Sequence, residues 1–234
     1  FGSLDEPTRK LIRALVLLHK NVLVSGATSS GKTCALNVLS SYIPEGERVI
    51  VIEDASELQL QQAHVVPMET RPPDKHGEGE VTVRDLTKSA LRLRPDRIVI
   101  GEIRGGESLD LIQALNTGHA GSMSTIHANS PEDALRRLET CALLGGVEIP
   151  LRALRAQVVS GVDAVIHTAR LSDGSRKIVA VSEVLPLENG EYKLRELQRW
   201  RTDSIAEDGT VVGGFEMLEK PTFADMAKIY GVEL

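Results

Sequence analysis

Apolar positions fall into two rhythms along the chain. Residues 6–19 place Leu11, Ile12, Leu15 and Leu18 at helical spacing. NVLVS (21–25), RVIVIED (48–54), AHVVPME (63–69) and DRIVIGE (96–102) are short aliphatic runs, the pattern of buried strands. Helices are predicted over CALNVLSSY (34–42), from Thr82 to before Pro95, and over 107–118, where Gly118 ends the periodicity. Thr82 is followed by Asp85 at the capping-box position. TRPPDKHGEGE (70–80) reads as a loop and SMSTIHA (122–128) as a strand. Ser130, Pro131 and Asp133 then supply a cap, a first-turn proline and an acid, opening a helix through LRRLETCALL. Up to about residue 162 strands and helices alternate, which predicts a parallel α/β sheet.

After that point the helical rhythm stops. DAVIHTARL (163–171), RKIVAVSEVL (176–185) and EYKLRELQRW (191–200) are strand-like, joined by Asp173–Gly174 and Asn189–Gly190, both strong hairpin dipeptides. They predict an antiparallel meander at 163–200. Residues 201–234 predict a further hairpin at Asp208–Gly209 and a short helix from Pro221.

Composition narrows the function classes. Aromatics make up only 3% of the 234 residues, so the core has to be aliphatic, as suits a buried parallel sheet. A net charge of −6 argues against nucleic acid as a partner. Cys34 and Cys141 stand far apart, with neither a zinc pattern nor a disulfide framework around them. No apolar run approaches the ~18–20 residues that span a bilayer. The chain opens on Phe rather than Met, so a fragment or processed product is expected.

GATSSGKT (26–33) matches the phosphate-cradle pattern G-x-x-x-x-G-K-[ST], between a strand and a helix as the motif requires. A chance match in a chain of this length is on the order of one in a hundred, given average glycine usage. Backbone N–H groups of Gly26, Ala27, Thr28, Ser29, Ser30, Gly31, Lys32, Thr33 and Cys34 are the expected phosphate ligands, at a helix N-terminus. Lys32 is placed to reach the β- and γ-phosphates of ATP, and Thr33 to put its hydroxyl on Mg²⁺. Hydrolysis also needs groups for the attacking water and the metal. Glu53–Asp54 and Glu102 end two strands whose carboxyl ends share an edge with the cradle. One acid should hold the metal, largely through water, and the other should act on the attacking water; spacing leaves open which.

VSGATSSGKT, VIEDASELQLQQAHVVPMETRPP, RDLTKSALRLRPDRIVIGEIRGGESLD and NTGHAGSMSTIHANSPEDALRRLE resemble the Walker A, Asp box, Walker B and His box of the secretion ATPase superfamily. That superfamily contains type II and type IV secretion ATPases and pilus motors. The wording is most similar to the tight-adherence (Flp) pilus assembly ATPases and their conjugal-transfer relatives. The resemblance covers about residues 8–200. It implies a RecA-like ATPase motor domain at 1–200, with the meander at 163–200 inside it and a C-terminal extension at 201–234. It also implies that the family's N-terminal domain, which helps close the nucleotide site, is absent from this chain. By the family pattern Glu53 is the water-activating glutamate, Glu102 the Walker B acid near the metal, and Thr33, Glu102 and Asp54 surround Mg²⁺. The same pattern implies that Arg104 stabilises the phosphate edge. ATP and Mg²⁺ are the implied cofactors. The implied setting is a homohexameric ring, cytoplasmic and docked on an inner-membrane platform protein of a pilus or secretion machine. Ala27 and Ser29 depart from the family's usual reading, GGTGSGKT, by replacing two glycines.

The histidines divide. His127 ends a predicted strand at the shared edge and falls on the His-box histidine, implying a γ-phosphate sensor; strand-end packing and proton transfer are the competing readings. His119 is expected to cap a helix or lie in a loop, and His19, His64, His76 and His167 to fill surface or core. One or two of Arg84, Arg92, Arg94, Arg97, Arg136 and Arg137 could cross a subunit interface to meet phosphate. Three alternatives compete with an ATP-driven motor. They are a nucleotide-gated switch with little turnover, a small-molecule kinase, and a conjugal-transfer or DNA-translocating ring.

Overall fold

The computed structural model describes residues 2–234. The first half alternates as the apolar rhythm requires. It runs α1 (Glu6–Leu17), β1 (Val22–Gly26), α2 (Lys32–Ser40), β2 (Val49–Glu53), β3 (Val65–Glu69), α3 (Val83–Ala90), β4 (Arg97–Ile103), α4 (Glu107–Asn116), β5 (Met123–Ile126) and α5 (Pro131–Leu143). Then come α6 (Leu151–Gly161), β6 (Ala164–Arg170), β7 (Arg176–Glu188), β8 (Glu191–Ile205), β9 (Val211–Met217) and α7 (Ala224–Ile229). All strands join one sheet of order β3-β2-β4-β5-β1-β6-β7-β8-β9. The pairings from β3 through β6 are parallel, and those from β6 through β9 are antiparallel.

Strand alternation sends side chains to two cores. Val22, Val24, Val49, Val51 and Val99 face α1, α2 and Phe223 before α7. Leu23, Ile50, Ile52, Ile98 and Ile100 face α3 to α6. A strand buried on both faces has to read as a continuous aliphatic run, which is what these segments do. The predicted caps hold: the Thr82 and Asp85 side chains each accept from the other's backbone N–H, and Ser130 accepts from the Asp133 N–H.

The first strand of the expected meander, β6, is also the parallel partner of β1, so the antiparallel strands extend the main sheet. Helix α6 carries no side-chain cap hydrogen bond at its start and follows Pro150 directly, so the usual start signal is missing from the sequence. Among the described residues no helix is long and apolar enough to cross a membrane.

Candidate functional site

Loop 26–31 turns sharply out of β1, and local packing dictates its glycines. Gly26 has φ +153°, and a Cβ there would lie 2.4 Å from both Ser30 Oγ and Thr168 O. Gly31 (φ +101°) precedes α2 and gives it no side-chain cap, so the first N–H groups of α2 have no side-chain acceptor. Uncapped N–H groups at a helix start form an anion site. From beneath, Thr168 Oγ1 donates to Ser25 O (3.1 Å) and meets Ser30 Oγ (2.8 Å). His167 Nδ1 lies 2.8 Å from Ser25 Oγ.

Lys32 is buried at the head of α2. Its Nζ donates to Gly26 O (3.2 Å) and Ala27 O (3.1 Å) and faces His127 Nδ1 at 3.4 Å. Burial pushes its pKa down, opposed by Glu102. His127 Nε2 stands 2.7 Å from Glu102 Oε1. Burial, then the Lys32 charge, holds the His127 pKa below its ordinary value against the pull of Glu102. The imidazole is therefore neutral at pH 7. The two contacts fit one tautomer, with Nε2–H donating to Glu102 and Nδ1 accepting from Lys32.

Glu53 closes β2 and is 7% exposed. Its Oε1 accepts the N–H of Glu57 (3.1 Å) and of Leu58 (3.0 Å). Glu102 owes its direction to a bulge. β4 and β5 pair at Ile100–Ser124 and again at Ile103–Ile126, so Gly101 and Glu102 together face Thr125 alone. Thr125 Oγ1 donates to Gly101 O at 2.6 Å, fixing the bulge. Gly101 also leaves room for Glu53, because a Cβ there would lie 3.0 Å from Glu53 Cγ. Arg104 pairs with Glu102 and, through Nη1, with Asp54 Oδ2 at 3.1 Å; the Glu102 bond raises its pKa further.

These groups share one cleft of about 540 Å³, lined among others by Thr28, Ser29, Lys32, Thr33, Glu53, Asp54, Glu57, Glu102, Arg104, Thr125 and His127. The structure thus gathers the strand-end acids, Arg104, His127 and much of the phosphate loop. Cys34, an exposed thiol, lies instead in a second cleft on the other flank of that loop, with Ser30 and Gly31. Three contributors escaped the sequence reading. Glu57, whose Oε2 lies 3.4 Å from Thr33 Oγ1, sits in an irregular segment with no periodicity to mark it. Thr125 acts through a bulge, and His167, read as a filler, lies under the loop. Arg97 drops out as a phosphate-reaching arginine. It is fully buried at the opposite sheet edge, bound to Glu47 and to Gly121 O. His119 caps α4 as expected, its Nδ1 3.3 Å from Ala114 O.

Among the described residues no group of three or more His, Cys, Asp or Glu side chains forms a metal cage. The cleft instead offers hard oxygens from Thr33, Asp54, Glu57 and Glu102. That donor set fits Mg²⁺, which uses few protein ligands and completes its shell with phosphate and water.

A putative conjugal transfer protein of Mycobacterium tuberculosis is 38% identical over 207 residues, 88% of this chain and 57% of that protein. The type IV secretion system protein PtlH of Bordetella pertussis is 39% identical over 177 residues, 72% of this chain and 51% of that protein. The chain thus spans little more than half the length of these relatives. The VirB11 ATPase of the Brucella suis type IV secretion system, solved with sulphate, superposes with a TM-score of 0.68 at 34% identity over 76% of this chain and 52% of that one. The mostly parallel sheet described above has the RecA-like fold of that secretion ATPase. With residues 1–199 matching its pattern, the chain belongs to the family of Type II/IV secretion system proteins.

Proposed function

We propose that this chain is the ATP-hydrolysing part of an oligomeric motor that drives a type IV-like secretion or pilus-assembly machine. The observation that carries the reading is the convergence of Lys32, Glu53 and the Glu102–His127 pair on one cleft beside an uncapped helix start. The loop N–H groups bind the phosphates of ATP, and Lys32 leaves the carbonyls of Gly26 and Ala27 for the β- and γ-phosphates. Glu53 keeps one oxygen on the Glu57 and Leu58 N–H groups, which orients the carboxylate so that the other takes a proton from the attacking water. Thr33, with Glu57, Glu102 and Asp54 around it, would hold Mg²⁺, which neutralises phosphate charge when bound. Once Lys32 has moved to the phosphates, neutral His127 redirects its Nε2–H from Glu102 to the γ-phosphate and loses that bond after hydrolysis.

The names of the relatives support a machine of the type IV secretion or conjugal-transfer kind. The motif wording resembles the tight-adherence pilus branch. We read the whole protein as a hexameric ring at a platform in the inner membrane, on its cytoplasmic side. The conjugal relatives favour one second reading, in which the same motor serves DNA transfer; the net charge of −6 weighs against direct contact with DNA.

The test is the ATP hydrolysis rate per chain against protein concentration, in the intact protein. Specific activity is expected to climb with concentration, because neighbouring subunits complete the site. Glu53→Gln should lose ~10²–10⁴-fold in turnover while retaining nucleotide. Activity that is substantial and independent of concentration would point to a self-sufficient hydrolase or kinase.

A further inference from the structure

Ser29 holds a left-handed backbone, φ +61°, inside the phosphate loop. L-residues visit that region rarely, and glycine visits it readily. Within the loop the Ser30 N–H bonds Ala27 O; among the described residues one side chain from outside the loop bonds the Ser29 backbone. Arg176, the first residue of β7, donates from Nε to Ser29 O at 2.9 Å. Its stem lies along the loop, with Cδ 3.3 Å from where a Cβ on Gly31 would stand. Because a peptide unit is planar, fixing the Ser29 carbonyl also fixes the plane of the Ser29–Ser30 peptide.

Arg176 is launched from a braced turn. Leu171 N–H donates to Ser175 O (2.8 Å) and Gly174 N–H to Leu171 O (2.9 Å), with Gly174 at φ +83°. Asp173 accepts the Ser175 N–H on one oxygen (2.8 Å) and the Val211 N–H on the other (2.9 Å), which ties the turn to the start of β9. Hydrogen bonding from Ser175, then from the Val211 N–H, holds the Asp173 carboxyl down at about 2, so it is ionised and keeps both bonds at neutral pH. The turn itself is therefore fixed, and Arg176 transmits that fixity to the loop.

We propose that Arg176 is a positioning residue that holds the phosphate loop in its anion-accepting shape, doing for Ser29 what a glycine in its place would do unaided. The proposal rests on the reading of residues 26–33 as a nucleotide cradle. Arg176 acts through the Ser29 carbonyl and not on the nucleotide itself.

The experiment titrates a fluorescent ATP analogue against four forms of the intact protein: wild type, Arg176→Ala, Ser29→Gly and the double variant. Arg176→Ala is expected to weaken binding roughly 3- to 10-fold, the worth of one hydrogen bond. Ser29→Gly sets the reference affinity for the double variant. On the Ser29→Gly background the Arg176→Ala loss should shrink to under about twofold, because glycine adopts the left-handed backbone unaided. Melting temperature without nucleotide checks folding. Should Arg176→Ala melt early, Arg176→Gln, which keeps much of the stem, repeats the cycle. No loss in Arg176→Ala, or an undiminished loss on the Ser29→Gly background, would overturn the proposal, the latter by showing that Arg176 contacts nucleotide directly. A wild-type protein that binds no nucleotide would instead overturn the cradle reading itself.

Discussion

His127 and His167 are two imidazoles kept neutral by the same site. Burial is the main cause in both, and the Lys32 charge adds to it in both; Glu102 opposes it at His127, and Asp133 at His167. A histidine whose folded pKa is depressed contributes nothing while both states are neutral, above about pH 6.5. Below that pH the unfolded chain takes up a proton that the folded one refuses, so stability falls until the folded pKa is passed. Melting temperature should therefore drop as pH falls below about 6.5. His167→Gln, which can still meet the Ser25 hydroxyl, should flatten part of that drop while melting near wild type at about pH 7.5, where both imidazoles are neutral. Parallel curves for the two proteins would remove His167 as a contributor. His127 was legible because it ends a strand inside a resemblance, whereas His167 was not, because its role depends on β6 lying beside β1 under the loop.

The bulge between β4 and β5 does for the acids what the cradle does for phosphate. It turns Glu102 into the cleft, and Gly101 gives Glu53 its clearance. Gly101→Ala should therefore displace the Glu53 carboxylate with little effect on the phosphate loop. The expected outcome is a fall in kcat of at least about tenfold with nucleotide affinity within about twofold of wild type, since about 1 Å of misplacement at a reacting group is costly. Lost affinity with intact turnover would refute this division of labour. Elements with a chemical start signal were readable in advance: Ser130 and Thr82 both cap as their side chains predict. α6 has no such signal. Segment 54–62 is irregular, so nothing in its sequence marked Glu57 as a neighbour of Thr33.

At the scale of the molecule, one sheet joins the phosphate loop to the C-terminal strands. β1, which leads into the loop, pairs with β6 from Val22–Ala164 to Gly26–Thr168, and β6 pairs with β7, β7 with β8 and β8 with β9. Read along the sequence, hairpin dipeptides separate these strands and make the last of them look like an appendage; hydrogen bonding across β8 and β9 makes them continuous with the core. Trp200, the chain's single tryptophan, lies in β8 opposite Phe215, their rings 4.8 Å apart and edge to face. It is a built-in reporter on the end of the sheet far in the pairing order from β2 and Glu53. If the sheet unfolds as one cooperative unit, tryptophan fluorescence and far-UV circular dichroism should melt at the same temperature. A ligand that binds only the folded state should then shift both transitions equally, by the same linkage free energy. A non-hydrolysable ATP analogue is the ligand to add. Two separated transitions, with only the circular dichroism transition moving on addition of the analogue, would mean that β8 and β9 fold independently of the site and that the link through Asp173 and Arg176 carries no stability between them.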